Sequence, residues 1–467
     1  MTPIQFGTDG WRAIIADEFT FENVRIIAQA WSDHLIEHSS QSKGVAVSYD
    51  TRFMSDRFAR AIAEVVASNK IPVFLSNLVM PTPVLSFTVK AKQLAGGIMV
   101  TASHNPYFYN GIKFKGSYGG PLLSEVTDQI AKKINQNKPR IDPALIRQYL
   151  VEEDFFDVYE QHLQSYLKFD VIGQGSFPLI YDPMHGAGAG LLNRLLRDTS
   201  CRLESIHDTL DPLFNGKHPE PIPENLTELI RLVKSQQGCL GIATDGDADR
   251  FGVIAEDGQF AQLHDLMPLL FRYLVESRGW SGQVVRTTSM ADTIDRVAQK
   301  YGRTIIEVPV GFKHVTEIML KEDILIGGEE SGGFGFKNHL PERDGLLSSL
   351  LLLEMLAAYR CRLVDLIRQL REDFGPFAYG RIDRYDDYER LQKNLSDLRG
   401  ASPKQLAGYN IERVSLIDGI KFYFENGAWM LIRVSQTEPL ARIYVGADEK
   451  CLVDQLLQAG VELITKK

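Results

Sequence analysis

Cysteine is scarce in this sequence, and the few cysteines are widely separated. The 467 residues include only four, and no two of them form a Cys-x-x-Cys pair: Cys201, Cys239, Cys361 and Cys451. This usage is typical of reduced, structural thiols, and it predicts a cytoplasmic protein.

Long apolar runs are also missing. No apolar stretch reaches the roughly 20 residues that a membrane-spanning helix needs. The nearest candidate, residues 346–358, is interrupted by Ser348, Ser349 and Glu354, so we predict a buried helix there. Residues 1–6 lack a basic segment followed by an apolar one, so no secretory signal is expected. The sequence therefore predicts no membrane partner.

Positive charge is in deficit. The chain has 51 Lys and Arg residues against 60 Asp and Glu residues, which gives a net charge of −9 at pH 7. No nucleic-acid partner is expected, because contact with a phosphate backbone needs a basic face. A small anion can still bind where a few cations converge. The cations that stand inside polar motifs are Arg12, Arg52, Lys113, Arg250, Lys313, Arg433 and Arg442.

Strand-like and helical patterns alternate as far as residue ~370, which is typical of α/β proteins. Three modules of about 100 residues each end a strand at a polar loop, and the length suggests about three domains. The last segment has short strands and two helices, which predicts an antiparallel α+β unit. We predict three similar mixed α/β domains and a smaller C-terminal α+β domain. The predicted domains are residues 1–140, 141–256, 257–372 and 373–467.

The segment Thr101–Pro106 follows an apolar run that we predict to be a buried strand. Ser103 and His104 therefore emerge at a strand end, where open α/β sheets collect their chemistry. A serine hydrolase is not expected, because neighbours on an extended chain point to opposite sides and no Gly-x-Ser-x-Gly surrounds Ser103. Near a divalent metal the hydroxyl suits a phosphoserine; a turn with a hydrogen-bonded serine is the alternative. Lys113 is a candidate proton carrier or charge neutraliser, unless it is a solvated strand lysine.

Three aspartates occupy alternate positions in the next polar loop: Asp245, Asp247 and Asp249. Carboxylates this close repel each other unless a cation joins them, and oxygen ligands favour Mg²⁺ or Ca²⁺. An EF-hand is not expected, because Arg250 stands where that loop requires glycine and the flanking segments have the pattern of strands. Three ligands leave room for a phosphate oxygen, which suits phosphoryl transfer. A solvated acidic turn is the alternative.

Two further loops contain groups that suit a sugar phosphate. Glu329 and Ser331 lie among glycines after a predicted strand, and a carboxylate with a hydroxyl can bind vicinal sugar hydroxyls. The pattern Arg433-x-Ser-x-Thr437, followed by Arg442, suits an anion, because guanidinium groups bind phosphate through two hydrogen bonds. A loop salt bridge and a surface hairpin are the respective alternatives.

In this order, the four loops resemble the α-D-phosphohexomutase family, which includes phosphoglucomutase and phosphomannomutase. The resemblance extends from Phe6-Gly-Thr-Asp-Gly-Trp-Arg12 to Arg442. It implies three similar α/β domains and a smaller fourth domain around one cleft. It also implies that Ser103 is a phosphoserine and that one Mg²⁺ per chain is held by Ser103, Asp245, Asp247 and Asp249.

The resemblance implies roles for the other polar residues as well. The catalytic groups beside Ser103 would be Arg12, His104, Lys113 and Arg250. The groups that bind substrate would be Gly311, Lys313, Glu329, Ser331, Arg433, Ser435, Thr437 and Arg442. Among these, Glu329 and Ser331 would hold sugar hydroxyls, and the last four would hold the phosphate that is not transferred.

The activity implied by the resemblance is an intramolecular phosphotransfer that interconverts hexose 1-phosphate and hexose 6-phosphate. Phospho-Ser103 would give its phosphoryl group to the sugar, and a hexose 1,6-bisphosphate would form, turn over and return its other phosphate. Lys113 is our first choice for removing or returning the hydroxyl proton, and His104 is the second. The same bisphosphate would serve as primer. The expected partners are small sugar phosphates, and the expected assembly is a monomer or homodimer.

The sequence departs from the family at two positions. Gly333 stands where many mannose- and glucosamine-handling members have histidine, and the Glu-Glu-Ser core looks more like that of glucose-preferring members, so we predict glucose. Gln436 stands where glycine is common, and the two residues differ in their access to positive φ. For the sugar, the alternatives are mannose (a phosphomannomutase), glucosamine or a pentose phosphate. For the activity, they are a glucose 1,6-bisphosphate synthase with a separate donor, a metal-dependent phosphatase, and a sugar-phosphate sensor without activity. A sensor is disfavoured because it needs no phosphorylatable nucleophile.

Overall fold

The computed structural model describes residues 4, 6–7, 10–175, 177–435 and 439–466. These residues form two six-stranded and two four-stranded sheets, together with short 3-10 helices at Gln41–Lys43 and Phe214–Gly216. Three sheets are mixed and the fourth is antiparallel, so the predicted fold class is confirmed. Within the described residues, no helix combines the length and apolar character needed to cross a membrane.

The first unit is a mixed sheet with helices. Its elements are β1 (Trp11–Ile14), α1 (Phe21–Glu37), β2 (Val45–Tyr49), α2 (Ser55–Ser68), β3 (Val73–Ser76), α3 (Thr82–Ala91), β4 (Gly96–Val100), β5 (Tyr109–Gly116), α4 (Ser124–Lys133), α5 (Pro143–Tyr149) and β6 (Leu150–Glu153). The strand order is β1-β5-β4-β2-β3-β6. Because β6 pairs with β3, this sheet draws on residues beyond the predicted boundary at residue 140.

The second and third units are smaller. The second comprises α6 (Phe156–Tyr166), α7 (Phe169–Gln174), β7 (Pro178–Asp182), α8 (Leu191–Leu196), β8 (Arg202–Ser205), α9 (Thr227–Ser235), β9 (Leu240–Thr244) and β10 (Phe251–Ile254). The third comprises α10 (Leu263–Glu276), β11 (Gln283–Thr287), α11 (Thr293–Lys300), β12 (Ile305–Val308), α12 (Phe312–Met319), β13 (Ile324–Gly328), β14 (Phe334–Phe336), α13 (Gly345–Tyr359) and α14 (Leu363–Phe374).

The three units repeat one strand order. It is β3-β2-β4-β5 in the first, β8-β7-β9-β10 in the second and β12-β11-β13-β14 in the third. In each, three parallel strands are followed by one antiparallel strand. The polar loops singled out in the sequence are the connections into that antiparallel strand. The repeat of pattern therefore places equivalent loops at equivalent sheet edges.

The fourth unit is an antiparallel sheet with two helices. Its elements are β15 (Ala378–Tyr385), α15 (Tyr388–Gly400), β16 (Gln405–Leu406), β17 (Tyr409–Ser415), β18 (Ile420–Phe424), β19 (Trp429–Val434), β20 (Leu440–Ala447) and α16 (Lys450–Ile464). The division into four domains remains a proposal, in which we now extend the first domain to Glu153.

Apolar patterns explain these elements. Every residue of β9 is buried, as expected for a strand covered on both faces. Helix α13 is apolar on all sides, so it lies inside the protein, and the Asp344 carboxylate caps it by accepting a hydrogen bond from the Leu347 amide. The predicted buried helix at residues 346–358 is therefore confirmed. One apolar core joins side chains of the first three units, whereas the fourth unit has a core of its own.

A buried ion pair joins the first unit to the third. The Lys115 ammonium of β5 contacts the Glu342 carboxylate, and both side chains are fully buried. Lys115→Met should lower the free energy of unfolding by about 3–5 kcal/mol, because it breaks a buried ion pair by removing one of its two charges. Chemical unfolding measures this loss. Lys321→Met at an exposed pair with Glu317 is the control and should cost about 0.5 kcal/mol or less; equal effects of the two variants would contradict the prediction.

Lys421 of β18 reaches from the fourth unit into the third. Its ammonium donates a hydrogen bond to the Thr288 carbonyl oxygen (2.8 Å) and lies over the Trp429 ring. Burial, followed by the nearby Arg286, lowers the pKa of Lys421 to about 8 from an ordinary value of 10.5. Above about pH 8 the folded protein loses a proton that the unfolded chain keeps, so this residue's contribution to stability rises with pH.

We therefore expect the free energy of unfolding of the wild type, relative to Lys421→Met, to increase between about pH 8 and 10.5. The slope should approach about 1.4 kcal/mol per pH unit. Chemical unfolding of both proteins at several pH values measures this difference. Lys450→Met, at an exposed lysine of the same unit, should run parallel to the wild type. A difference between wild type and Lys421→Met that is constant across this range would refute the prediction.

Candidate active site

Two of the predicted loops meet at Ser103. The Ser103 hydroxyl donates a hydrogen bond to Asp245 Oδ2 over 2.9 Å, although the two residues are 142 positions apart. Ser103 is 1% exposed, and the three loop aspartates are completely buried. The structure therefore brings the candidate nucleophile against the candidate metal site, inside the protein.

His104 is closer to Ser103 than we predicted. Its Nδ1 atom lies 3.5 Å from Ser103 Oγ. The prediction that the two side chains point apart was wrong, because it assumed an extended chain, whereas Ser103 has a φ of 53°. Burial lowers the pKa of His104 well below its usual value, and the cations Arg250, Arg12, Lys113 and Arg442 lower it further. These effects favour the neutral imidazole of His104, which lies within reach of the serine oxygen.

The aspartate loop has the properties of a cation site. The connection between β9 and β10 places one oxygen of each aspartate within 4.8 Å of the others. Asp247 Oδ1 and Asp249 Oδ1 are buried, and neither has a hydrogen-bond partner among the residues that the structure describes. Burial raises the pKa of Asp245 strongly, as do the neighbouring carboxylates. These atoms fit a hard divalent cation, which would satisfy the orphaned oxygens and offset the repulsion.

Lys113 of β5 contributes charge to this loop. Its Nζ atom lies 2.7 Å from Asp247 Oδ2 and 2.8 Å from Asp249 Oδ2, and the lysine is 1% exposed. Burial alone would raise the pKa of Asp249, but Arg343 and Lys113 lower it below its usual range. Two ion pairs stabilise the ammonium form of Lys113, so the contacts favour charge neutralisation over proton transfer.

Arg12 contacts the Ser103 loop, and Arg250 directly follows the three aspartates. Arg12 Nη1 donates a hydrogen bond to Asn105 Oδ1 over 2.6 Å. The Arg250 backbone amide donates to Asp245 Oδ1, and its guanidinium lies 3.7 Å from Glu220. Both guanidinium groups contribute to the lowered pKa of His104, so cations as well as carboxylates stand near Ser103, and the cations suit a phosphoryl group.

The predicted sugar loop also lies close to the metal loop. Glu329 is 4% exposed, and its Oε1 atom accepts a hydrogen bond from the Gly311 amide over 3.0 Å. Gly311 has a φ of 124°, which favours glycine, and it precedes α12, where Lys313 lies in the first turn. Ser331 is half-buried beside Glu329. The structure therefore brings Gly311 and Glu329 together at one edge of the third sheet.

Arg343 is a site residue that our sequence analysis missed. Its Nη2 atom donates a hydrogen bond to Asp249 Oδ2 (2.8 Å), and its Nη1 atom lies 3.4 Å from Glu329 Oε2. It connects the metal loop to the sugar loop while being 6% exposed. A signal was available, because the charged run Glu342-Arg-Asp344 directly precedes a helix that is mostly apolar.

The predicted phosphate site lies on β19 and β20. Arg433 and Arg442 face each other across these strands, and they form ion pairs with Asp418 (2.9 Å) and Asp383 (3.4 Å) respectively. Ser435 is 7% exposed. Thr437, together with Gln436, lies outside the described residues.

These features define a phosphoryl-transfer enzyme of the α/β class, and comparison with known proteins identifies its family. Residues 3–140, 157–258 and 263–374 match alpha/beta/alpha domains I, II and III of phosphoglucomutase/phosphomannomutase, and residues 385–463 match its C-terminal domain. The chain belongs to this family, the α-D-phosphohexomutases, which are isomerases that act by phosphoryl transfer.

Relatives of the chain differ in the sugar for which they are named. It is 28% identical to a phosphoglucomutase/phosphomannomutase of Thermococcus kodakarensis, over 98% of each chain. It is 29% identical to a phosphoglucosamine mutase of Methanococcus vannielii, over 91% of this chain and 93% of the relative. A solved structure from Thermus thermophilus, provisionally described as a phosphomannomutase, has 37% identity and a TM-score of 0.88 over 99% of both chains.

Proposed function

We propose that this enzyme interconverts glucose 1-phosphate and glucose 6-phosphate through phospho-Ser103 and glucose 1,6-bisphosphate. The observation that carries the proposal is the 2.9 Å contact between Ser103 Oγ and Asp245, inside a buried cluster of three carboxylates and several cations. A serine beside orphaned carboxylate oxygens and an adjacent imidazole is suited to carrying a phosphoryl group.

Substrate binding would use the third and fourth units. Arg433, Ser435 and Arg442 would bind the phosphate that is not transferred, because the two arginines are paired across β19 and β20 and both carry guanidinium groups that suit phosphate. Glu329 would accept further hydrogen bonds from vicinal sugar hydroxyls, because each carboxylate oxygen has a second lone pair beside the one used by Gly311 or Arg343. Lys313, in the first turn of α12 beside Gly311, would contact the sugar in a way that depends on which way round the sugar is bound. Together these groups would hold the free hydroxyl towards Ser103.

In the transfer step, the sugar hydroxyl oxygen forms a bond to phosphorus while the bond between phosphorus and Ser103 Oγ breaks. The hydroxyl proton leaves, and the Ser103 oxygen gains a proton, so the step balances. We assign this proton exchange to His104 and not to Lys113, because His104 Nδ1 lies 3.5 Å from Ser103 Oγ whereas the Lys113 ammonium contacts two carboxylates. Lys113, Arg12 and Arg250 would stabilise charge on the moving group. A Mg²⁺ ion bound by the three aspartates would supply further charge stabilisation.

The bisphosphate must turn round before the second transfer, which requires the cleft to open. The fourth unit has its own apolar core and is joined to α14 through Gly375, whose φ is 91°. We place the hinge near residues 370–376, because independent cores allow rigid units to rotate about a short connection. Closure would then exclude water and protect phosphoserine from hydrolysis.

Glucose is proposed on the basis of the Glu329-Glu-Ser331 core and of Gly333 in place of histidine. Mannose is the second candidate, favoured by the 37% identical Thermus relative. The test compares kcat/KM for glucose 1-phosphate, mannose 1-phosphate and glucosamine 1-phosphate with Mg²⁺ and glucose 1,6-bisphosphate as primer. We expect the highest value for glucose 1-phosphate, by about tenfold.

Other results of this comparison of sugars would change the proposal in different ways. A higher value for mannose or glucosamine overturns the choice of sugar but not the reaction. Accumulation of free bisphosphate would identify a bisphosphate synthase, and release of inorganic phosphate a phosphatase. Absence of turnover with all three sugars would refute the proposed function.

A further inference from the structure

Arg52 binds the backbone of the Ser103 loop and has no part in the catalytic or substrate-binding roles proposed for the other cations. Its side chain is completely buried, directly after β2. All five of its N–H groups donate hydrogen bonds, and four of these go to backbone carbonyls of one short segment. The acceptors are Asp50 Oδ2 (3.1 Å), Pro106 O (2.8 Å), Tyr109 O (3.0 Å), Ser103 O (2.5 Å) and Asn105 O (2.7 Å).

A second chain of hydrogen bonds reaches Ser103 from its other side. Asp50 Oδ2 accepts a hydrogen bond from the Thr101 hydroxyl over 2.6 Å. The Thr101 oxygen in turn accepts one from the Ser103 amide over 2.8 Å. Because Asp50 also binds Arg52, the amide and the carbonyl of Ser103 are held by one connected, buried network.

This network explains an unfavourable backbone conformation. Ser103 has a φ of 53°, in the left-handed region that residues with a Cβ atom avoid unless their surroundings hold them there. That conformation directs Ser103 Oγ to both Asp245 and His104. The Phe214 ring of the second unit covers the guanidinium at 5.0 Å, so Arg52 is held in place on that side as well.

We propose that Arg52 is a positioning residue, which fixes the backbone of Ser103 so that its oxygen stands in line for phosphoryl transfer. The inference rests on the proposed function. Since the five N–H groups are all bound to Asp50 and to the loop carbonyls, Arg52 acts on the orientation of Ser103 and not on the sugar. A fault of about 1 Å in the placement of a reacting atom can lower a rate about 100-fold.

The test uses substitutions on both sides of Ser103. Arg52→Lys keeps the charge but loses the planar fork, so kcat should fall about 100-fold while KM changes less than about threefold. Thr101→Val removes the acceptor for the Ser103 amide and should act in the same way, whereas Thr101→Ser should restore kcat. Arg60→Ala, at an exposed arginine of α2, is the matched control and should behave as the wild type.

Two readouts separate positioning from a general loss of stability. Guanidinium ion at millimolar concentration should raise kcat of Arg52→Ala about tenfold or more, because it can occupy the vacated space, and should leave Arg60→Ala unchanged. Hydrogen exchange should accelerate in residues 101–109 of Arg52→Lys and remain unchanged in α1. Hydrogen exchange does not depend on turnover, so it tests the role of Arg52 even if the wild type isomerises no sugar phosphate. That lack of activity would overturn the proposed function but not the positioning role of Arg52.

Three results would overturn the inference. The first is an Arg52→Lys enzyme with kcat within about threefold of wild type. The second is a rise in KM that accounts for the whole loss of kcat/KM, which would place Arg52 at the substrate. The third is unchanged exchange in residues 101–109. If Arg52→Ala does not fold, Arg52→Lys and Thr101→Val still test whether Arg52 positions Ser103.

Discussion

Ser103→Ala should lower kcat by roughly 10⁴-fold or more, because it removes the oxygen that would carry the phosphoryl group. The same variant should contain no phosphate in residues 101–109 after incubation with glucose 1,6-bisphosphate, as measured by mass spectrometry of the digested protein. Wild type treated in the same way should gain one phosphoryl group at Ser103. The effect should be this large because the hydroxyl is the covalent carrier and not merely a hydrogen-bond donor to Asp245.

Ser235→Ala is a suitable control for this experiment. Ser235 is exposed at the end of α9 and bonds only to the Leu232 carbonyl among the described residues. The control should retain wild-type kcat and the phosphoryl group at Ser103. Turnover by Ser103→Ala within about tenfold of wild type would show that another group carries the phosphoryl group.

Asp245→Asn should lower kcat by about 100- to 1,000-fold, because it weakens the binding of the cation that stabilises the transferred group. The amide is nearly isosteric with the carboxylate and can keep the contacts to Ser103 Oγ and to the Arg250 amide. In metal-free buffer the variant should melt at the same temperature as wild type or higher, since it relieves repulsion from Asp247 and Asp249. Activity and stability should therefore change in opposite directions.

Thermal unfolding with added Mg²⁺ gives a readout independent of turnover. Wild type should gain about 2.7 kcal/mol when Mg²⁺ exceeds its dissociation constant about 100-fold, and Asp245→Asn should gain much less. Asp257→Asn, at an exposed turn where the Asp257 carboxylate accepts a hydrogen bond from the Gln259 amide, is the matched control. Equal stabilisation of Asp245→Asn and wild type by Mg²⁺ would remove Asp245 from the metal site.

The sequence was sufficient to predict that polar loops lie at strand ends, because apolar runs followed by Gly, Asp or Ser mark such ends. It was also sufficient to group the aspartates, since their alternate spacing is visible in the chain. It could not show that Arg343 joins Asp249 to Glu329, because that contact spans 94 residues and depends on how two sheets pack. It misplaced His104 for a local reason: nothing in Thr101-Ala-Ser-His indicates that Ser103 adopts a left-handed backbone.

In the fourth unit, the sequence could predict the pairing of two strands but not the ion pairs that their arginines form. The pairing of Arg433 with Arg442 could be expected from two neighbouring antiparallel strands. Their ion pairs with Asp418 and Asp383 could not, because acidic residues are common throughout this segment and none has a distinctive spacing. The predicted role of Thr437 stays a prediction.

The buried lysines of β5 have a consequence for the protein during its synthesis. Lys115 finds its carboxylate partner 227 residues later in the chain, and Lys113 finds its partners 134 and 136 residues later. Until those segments leave the ribosome, both ammonium groups are hydrated on the open side of the newly made first sheet. Charge on that unfinished surface opposes aggregation of nascent chains, at the stage when a multidomain protein is most exposed to it. We therefore expect the same residues that later neutralise buried carboxylates to help keep the incomplete enzyme in solution.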